Sequence, residues 1–315
     1  MSLIPSILFN NVFDPVSRNE VEIMNYYRDL YDIYGYKSLE TRLIFNKEVR
    51  KEFARFVRER DISVTIWSTS NLNNEGLYLA DPDEEKRKNA VSYMKKIIDL
   101  SAEANAEFIG FTSGKKIVPN SEMNKQINSF EKSVIELIDY IEKYNRIELM
   151  LEPLDTDADK KFVVGKTNYV IDFFERLAKQ NKLNKLSVCI DTAHIVLNNE
   201  GVIKSMEKLS QYSQRIHLAN VVLNKESELF GDKHIRMGTP GFLTQKIANQ
   251  ILKEANKLEF RTEKVYVAVE VRGGEDDDLF KLEEENRKFL FRSMPNENKN
   301  NNQKWMYGGK TWQKD

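Results

Sequence analysis

Four residues carry charge where a buried strand has no use for it. Glu152 closes the run Ile147–Glu152, Asp191 closes Leu186–Asp191, His217 lies inside Arg215–Ala219 and Glu270 lies inside Val265–Val271. Parallel strands sandwiched between a core and helices are apolar on both faces, so each of these polar groups needs a reason. Side chains alternate along a strand, and Leu149/Leu151, Val188/Ile190, Ile216/Leu218 and Val265/Val267/Val269 each mark a face turned to helices. Met150 and Glu152, Cys189 and Asp191, His217 and Ala219, and Ala268 and Glu270 then face the other way, with small neighbours leaving room. Three carboxylates and an imidazole buried together without partners would cost several kcal/mol each, and a divalent cation is the simplest partner. Mixed oxygen and nitrogen ligation by Glu152, Asp191, His217 and Glu270 suits one Mn²⁺, Mg²⁺, Co²⁺ or Zn²⁺ and leaves part of an octahedral shell open.

The chain has three histidines, and the other two stand beside the same strand ends. In Asp191-Thr192-Ala193-His194 the spacing lets His194 reach back over its strand, as a ligand or a substrate contact. The segment from Gly231 to Gly241 brings Asp232, His234 and Arg236 together with glycines at 231, 238 and 241. Trp67, ending the run Ile62–Trp67, offers a ring that would stack on the apolar face of a sugar or simply pack under a loop. Lys115 and Lys116 follow the fourth apolar run and are candidates for a substrate phosphate or for plain solvation.

These residues need elements to hold them. Short apolar runs at Ser6–Asn10, Lys37–Arg42, Ile62–Trp67, Phe108–Thr112, Ile147–Glu152, Leu186–Asp191, Arg215–Ala219 and Val265–Val271 read as strands. They alternate with amphipathic, charge-rich segments near 19–34, 46–60, 83–104, 121–144, 167–180, 202–212, 242–258 and 277–292, which read as helices. Asp81-Pro82-Asp83-Glu84-Glu85 puts acids at a helix start, where they complement the dipole. The pattern predicts an α/β fold, a (β/α)8 TIM barrel of parallel strands and outer helices over residues 1–294. Beyond it, 295–315 reads as an Asn-rich linker and an aromatic tail, Trp305 to Trp312, that is a candidate contact to the barrel or to a neighbouring copy in a homo-oligomer.

Lys+Arg of 48 against Asp+Glu of 49 gives a formal charge of -1, so no global field draws the chain to nucleic acid or an acidic membrane. No apolar stretch is long enough to span a bilayer, and the first ten residues lack a basic leader region. Cys189 is the single cysteine and has no intramolecular partner. A cytoplasmic enzyme, or a binding protein, is the expectation.

The set Leu149-Met150-Leu151-Glu152-Pro153, Ile190-Asp191-Thr192-Ala193-His194, Ile216-His217-Leu218-Ala219-Asn220, Asp232-Lys233-His234 with Gly238 and Gly241, and Val267-Ala268-Val269-Glu270 resembles the xylose isomerase-like TIM-barrel superfamily. Its members include sugar and sugar-phosphate isomerases, ketose 3-epimerases and the endonuclease IV group. The resemblance implies a cytoplasmic enzyme of carbohydrate metabolism, an isomerase or epimerase of a sugar, ketose or sugar phosphate. It implies one divalent metal, Mn²⁺ first, on Glu152, Asp191, His217 and Glu270, and proton transfer through a metal-stabilised enediolate with Glu152 and Glu270 as acid and base. His194, Asp232, His234, Arg236, Trp67 and Glu40 become candidate substrate contacts; Glu40 sits where the superfamily often has a Glu on its second strand. The alternatives are an endonuclease IV-like phosphodiesterase on abasic DNA, or a non-catalytic sugar-binding barrel. Asp232-Lys233-His234 resembles the endonuclease motif, but Thr65-Ile66-Trp67-Ser68 and Phe111-Thr112-Ser113-Gly114 lack the histidines that group has after its third and fourth strands. Ketose 3-epimerases in turn carry an Arg after the strand-seven His and a second Glu after the strand-five Glu, where this chain has Asn220-Val221-Val222 and Pro153-Leu154-Asp155. Asp155 and Arg236 are the candidate substitutes.

Overall fold

The computed structural model describes residues 1–307. Eight parallel strands close into a barrel in sequence order: β1 (Ser2–Leu8), β2 (Ser38–Thr41), β3 (Ser63–Trp67), β4 (Phe108–Phe111), β5 (Glu148–Leu151), β6 (Leu186–Asp191), β7 (Ser213–Ala219) and β8 (Lys264–Glu270). The outer helices are α1 (Ile23–Tyr34), α2 (Lys47–Arg60), α3 (Glu84–Glu103), α4 (Met123–Ile141), α5 (Thr167–Lys179), α6 (Val202–Leu209), α7 (Gln245–Ala255) and α8 (Leu279–Ser293). Each expected strand and helix forms, so the (β/α)8 architecture follows from the pattern of apolar runs. No helix among the described residues is long and apolar enough to cross a membrane.

The core has two layers. Leu149, Leu151, Val188, Ile190, Ile216, Leu218, Val265, Val267 and Val269 join the large cluster between strands and helices. Leu8, Trp67, Phe108, Met150, Cys189 and Ala268 fill the barrel interior. The alternation of side chains is thus obeyed on the four strands that carry the charged residues.

Three local readings are corrected. The first strand runs Ser2–Leu8 rather than from Ser6 to Asn10, because pairing of Ser2 to Pro5 with Lys264 to Val267 draws its start down along β8. Phe9–Val12 is a short helix instead, which turns Asn11 inwards. The Asn-rich segment after Pro295 is not an extended linker: Asn296–Asn301 and Gln303–Tyr307 are helical. Its amides have work to do, since Leu3 N donates to Asn298 Oδ1 at 2.7 Å and Asn302 Nδ2 donates to Leu3 O at 3.1 Å. Trp305 is buried edge-on against Tyr36, with ring centroids 5.6 Å apart. Trp312, expected in the aromatic tail, lies outside the described residues.

Candidate metal centre and active site

Glu152, Asp191, His217 and Glu270 meet at the C-terminal mouth of the barrel, with one ligand atom from each lying within 4.8 Å of the others. Cα register brings them there: Asp191 pairs with His217 and Ala219 with Glu270, one layer at the top of adjacent strands. His217 Nδ1 faces Glu152 Oε1 at 3.3 Å and Glu270 Oε2 at 3.4 Å. Both His217 Nδ1 and Asp191 Oδ2 are buried and without a hydrogen-bond partner. A buried lone pair with nothing to donate to it is costly, and His217 Nδ1 between two carboxylates, with Asp191 Oδ2 orphaned in the same cluster, fits a bound cation. The donor set of three carboxylates and an imidazole suits a borderline or hard divalent ion. Glu152, Cys189 and His217 also converge, and since that group shares two residues with the first, both describe one centre.

The remaining oxygens are held by the chain. Asp191 Oδ1 accepts from His194 N at 2.9 Å, capping the short helix Thr192–Leu197. Glu270 Oε1 accepts from Asn11 Nδ2 at 2.8 Å and faces His234 Nδ1 at 3.1 Å. Burial drives the Asp191 carboxyl well above its usual range, despite the positive charge of His194. Burial would raise Glu270 as well, but His234 and His217 outweigh it and hold it well below the usual carboxylate range.

Beneath this layer lies a feature that sequence reasoning missed. Arg215 and Glu40 form an ion pair inside the barrel, both side chains 0% exposed. Ser6 Oγ donates to Glu40 Oε1 at 2.8 Å, and Trp67 Nε1 donates to Glu40 Oε2 at 3.0 Å. The same Oε2 lies 2.9 Å from His217 Nε2. Glu40 was expected to contact substrate, yet it does not line the cavity; it sits behind the imidazole, where a carboxylate fixes the tautomer that leaves Nδ1 free to ligate. Burial would raise the Glu40 carboxyl, but Arg215 and then His217 bring it down to about 2. Arg215 was detectable, because the parity that turns His217 inwards turns residue 215 inwards too.

Above the cluster opens a cavity of about 380 Å³ lined by Trp67, His194, Asp232 and His234 among others. His194 pairs with Asp155 Oδ2 at 3.4 Å and lies 3.8 Å from Asp232 Oδ2. Burial opposes its charge, but Asp232 and Asp155 overcome it and raise His194 to about 10. Asp155 therefore positions His194, and its own oxygens accept from the Asp159 and Lys160 amides. Lys160, unforeseen, also lines the cavity and pairs with Asp232 at 3.1 Å. His234 takes a left-handed φ of 51°, a conformation that non-glycine residues adopt at a cost and that clusters at functional sites. Its loop is pinned by Asn220, whose Nδ2 donates to the Arg236 and Gly238 carbonyls at 2.8 and 2.7 Å.

Arg236, expected at the substrate, is not in the cavity wall. Its half-exposed guanidinium turns outwards to Asp277 at 2.7 Å and Glu285 at 2.8 Å, because the Asn220 clamp takes only its backbone. Lys116 pairs with Asp157 at 2.9 Å, while Lys115 lines the cavity.

The fold has many solved counterparts. The structure of L-ribulose 3-epimerase matches with a TM-score of 0.68 at 12% identity, covering 100% of both chains. D-psicose 3-epimerase from Clostridium cellulolyticum H10 gives 0.60 at 15% identity, covering 90% of this chain and 92% of that one. An AP endonuclease, family 2, from Brucella melitensis gives 0.61 at 15% identity, covering 87% and 95%. At such identities the likeness speaks for the fold alone. No curated protein sequence matches. The family model described as xylose isomerase-like TIM barrel matches residues 29–286, most of the barrel and all four clustered residues, and the chain belongs to that family.

Proposed function

We propose that this protein is a divalent-metal-dependent isomerase or epimerase of a ketose or ketose derivative. The observation that carries the reading is His217 Nδ1, orphaned and facing Glu152 and Glu270 on the floor of an open cavity, with the orphaned Asp191 Oδ2 in the same four-residue cluster. A divalent ion held by these four residues, Mn²⁺ by preference, would polarise a carbonyl and its neighbouring hydroxyl and make the intervening C–H acidic.

Glu270 is the base in this reading. His234 and His217 keep it ionised, and Asn11 fixes one of its oxygens, so the other is oriented towards the reacting carbon. Glu152, on the other side of His217 Nδ1, returns a proton to the substrate. His194, Asp232 and His234 supply charged hydrogen-bonding groups for the sugar hydroxyls, and Trp67 offers the edge of its ring; Glu40 acts by orienting His217. The electrostatic case for a DNA phosphodiesterase is weak, since the formal charge is -1. The candidate metal groups among the described residues reduce to one centre, whereas two-metal hydrolysis places ions about 4 Å apart.

Solvent exchange tests the reading. With the metal restored and verified by elemental analysis, ketoses incubated in deuterated water are expected to gain deuterium beside the carbonyl. Glu270→Gln is expected to slow that exchange about 100-fold or more. Exchange that survives in Glu270→Gln, or a metal-loaded protein that nicks abasic duplex and exchanges no ketose, overturns it.

A further inference from the structure

A second cavity of about 410 Å³ adjoins the first on the side of β1 to β3, and the two share Arg42, Ser70 and Arg272 in their walls. Its acids are already engaged. Asp14 pairs with Arg42 at 2.5 Å, and the two oxygens of Glu20 accept from the Phe45 and Asn46 amides at 2.7 and 2.6 Å. Arg18 and Arg272 have no such partner: neither guanidinium makes a hydrogen bond or ion pair among the described residues. Arg272 is anchored only through its backbone, with N donating to His234 O at 2.9 Å, so its side chain leaves the metal centre pointing into the wall shared by both cavities. Burial lowers the proton affinity of Arg42 and Asp14 opposes it, while the nearby charges of Arg18 and Arg272 act in the same direction as burial, so the three guanidiniums feel one another across the cleft. Asn71 Oδ1, in the same wall, is a buried acceptor without a donor.

Three guanidiniums face two carboxylates, Asp14 and Glu20, around a cleft that opens into an active-site cavity, which leaves one net positive charge there; Arg18 and Arg272, both exposed to solvent, are free to turn onto an anion, and guanidinium forks match planar and tetrahedral oxyanions. We propose that this cleft binds an oxyanion carried by the substrate at the end remote from the reacting carbon, so that the natural substrate is an anionic ketose, a phosphate ester or a sugar acid, rather than a neutral sugar. The inference rests on the isomerase reading for the identity of the sugar portion, but the cleft itself does not depend on it. Arg272 and Arg18 take the anion, and Arg42 closes the arc.

Calorimetric titration of the full-length, metal-loaded protein with D-ribulose, D-ribulose 5-phosphate, D-fructuronate and inorganic phosphate tests this. At least one charged sugar is expected to bind about 10-fold or more tightly than D-ribulose, with a preference that shrinks as salt is raised. The phosphate ester and the acid separate the two sources of the oxyanion. The double variant Arg18→Gln/Arg272→Gln, checked for an unchanged circular dichroism spectrum, is expected to erase the preference and to weaken inorganic phosphate in parallel. Equal binding of neutral and charged sugars, a preference that survives in the double variant, or no binding of any of the four overturns the cleft. Deuterium exchange into neutral ketoses without a charge preference would remove the cleft and leave the isomerase reading standing. Charge-selective binding without exchange into any of the sugars would support the cleft and count against that reading.

Discussion

At the scale of single residues, the pair Glu40–Arg215 is the feature with the clearest consequence. A fully buried ion pair is seldom a net gain over packed hydrophobic side chains, because both ions lose their hydration. Here one carboxylate oxygen faces Arg215 and the other faces His217 and the Trp67 indole, so the pair anchors His217, the proposed metal ligand, from behind. Glu40→Gln is expected to lower metal affinity about 10- to 100-fold, read by competition with a chromogenic chelator. It is also expected to cost about 3–5 kcal/mol in urea unfolding, because Arg215 is left buried and uncompensated. Replacing both, Glu40→Leu with Arg215→Met, should restore much of the stability and none of the metal affinity. Metal affinity unchanged in Glu40→Gln would reduce the pair to a structural role. Both residues lie at inward positions of short strands, so their direction was legible from alternation; their meeting across the barrel was not, because no local pattern links residue 40 to residue 215.

At the scale of elements, β3 and β4 show how a strand can serve its neighbour. Trp67 pairs in register with Gly110, and a Cβ there would come within 2.1 Å of Trp67 Cε3. The glycine is needed for close approach rather than for its backbone angle: it lets the indole lie across β4 and reach Glu40. Gly110→Ala is expected to cost about 1–3 kcal/mol by overpacking and to weaken metal binding by displacing the Trp67 donor. A urea midpoint and a metal affinity both equal to those of the unmodified protein would rule this out. Gly110 lies inside the apolar run Phe108–Thr112, and only the neighbouring strand gives the glycine a purpose. Helix starts were easier to read, since Asp83 accepts from the Glu85 and Lys86 amides within the acidic segment that marked the start of α3.

At the scale of the whole molecule, the two ends of the barrel divide the work. The mouth holds the charged cluster, and towards the opposite end the C-terminal helices are hydrogen-bonded to Leu3 near the start of β1. Trp305, one of the aromatics that could have served a neighbouring copy, is used within this chain against Tyr36. Trp305→Ala is expected to destabilise the fold by about 3–5 kcal/mol and to leave metal affinity unchanged, since its site is at the far end of the strands. Urea unfolding beside a metal titration separates the two effects; undiminished stability would mean that the tail packs without supporting the barrel.

From its own order the sequence determined the eightfold alternation, the inward parity of Glu152, Asp191, His217 and Glu270, and hence one charged cluster at one end of a barrel. These follow from periodicity, a local property in which each residue is judged against its neighbours in the chain. Only the tertiary structure decided which charged groups are withdrawn from the cavity and which stand open to it. It set Glu40 behind His217 and sent Arg236 out to Asp277 and Glu285. It also left Arg272 facing the cavity without a partner, and folded the Asn-rich end onto Leu3. Such pairings join residues far apart in the chain, and they depend on barrel closure and on loop paths that no spacing in the sequence records.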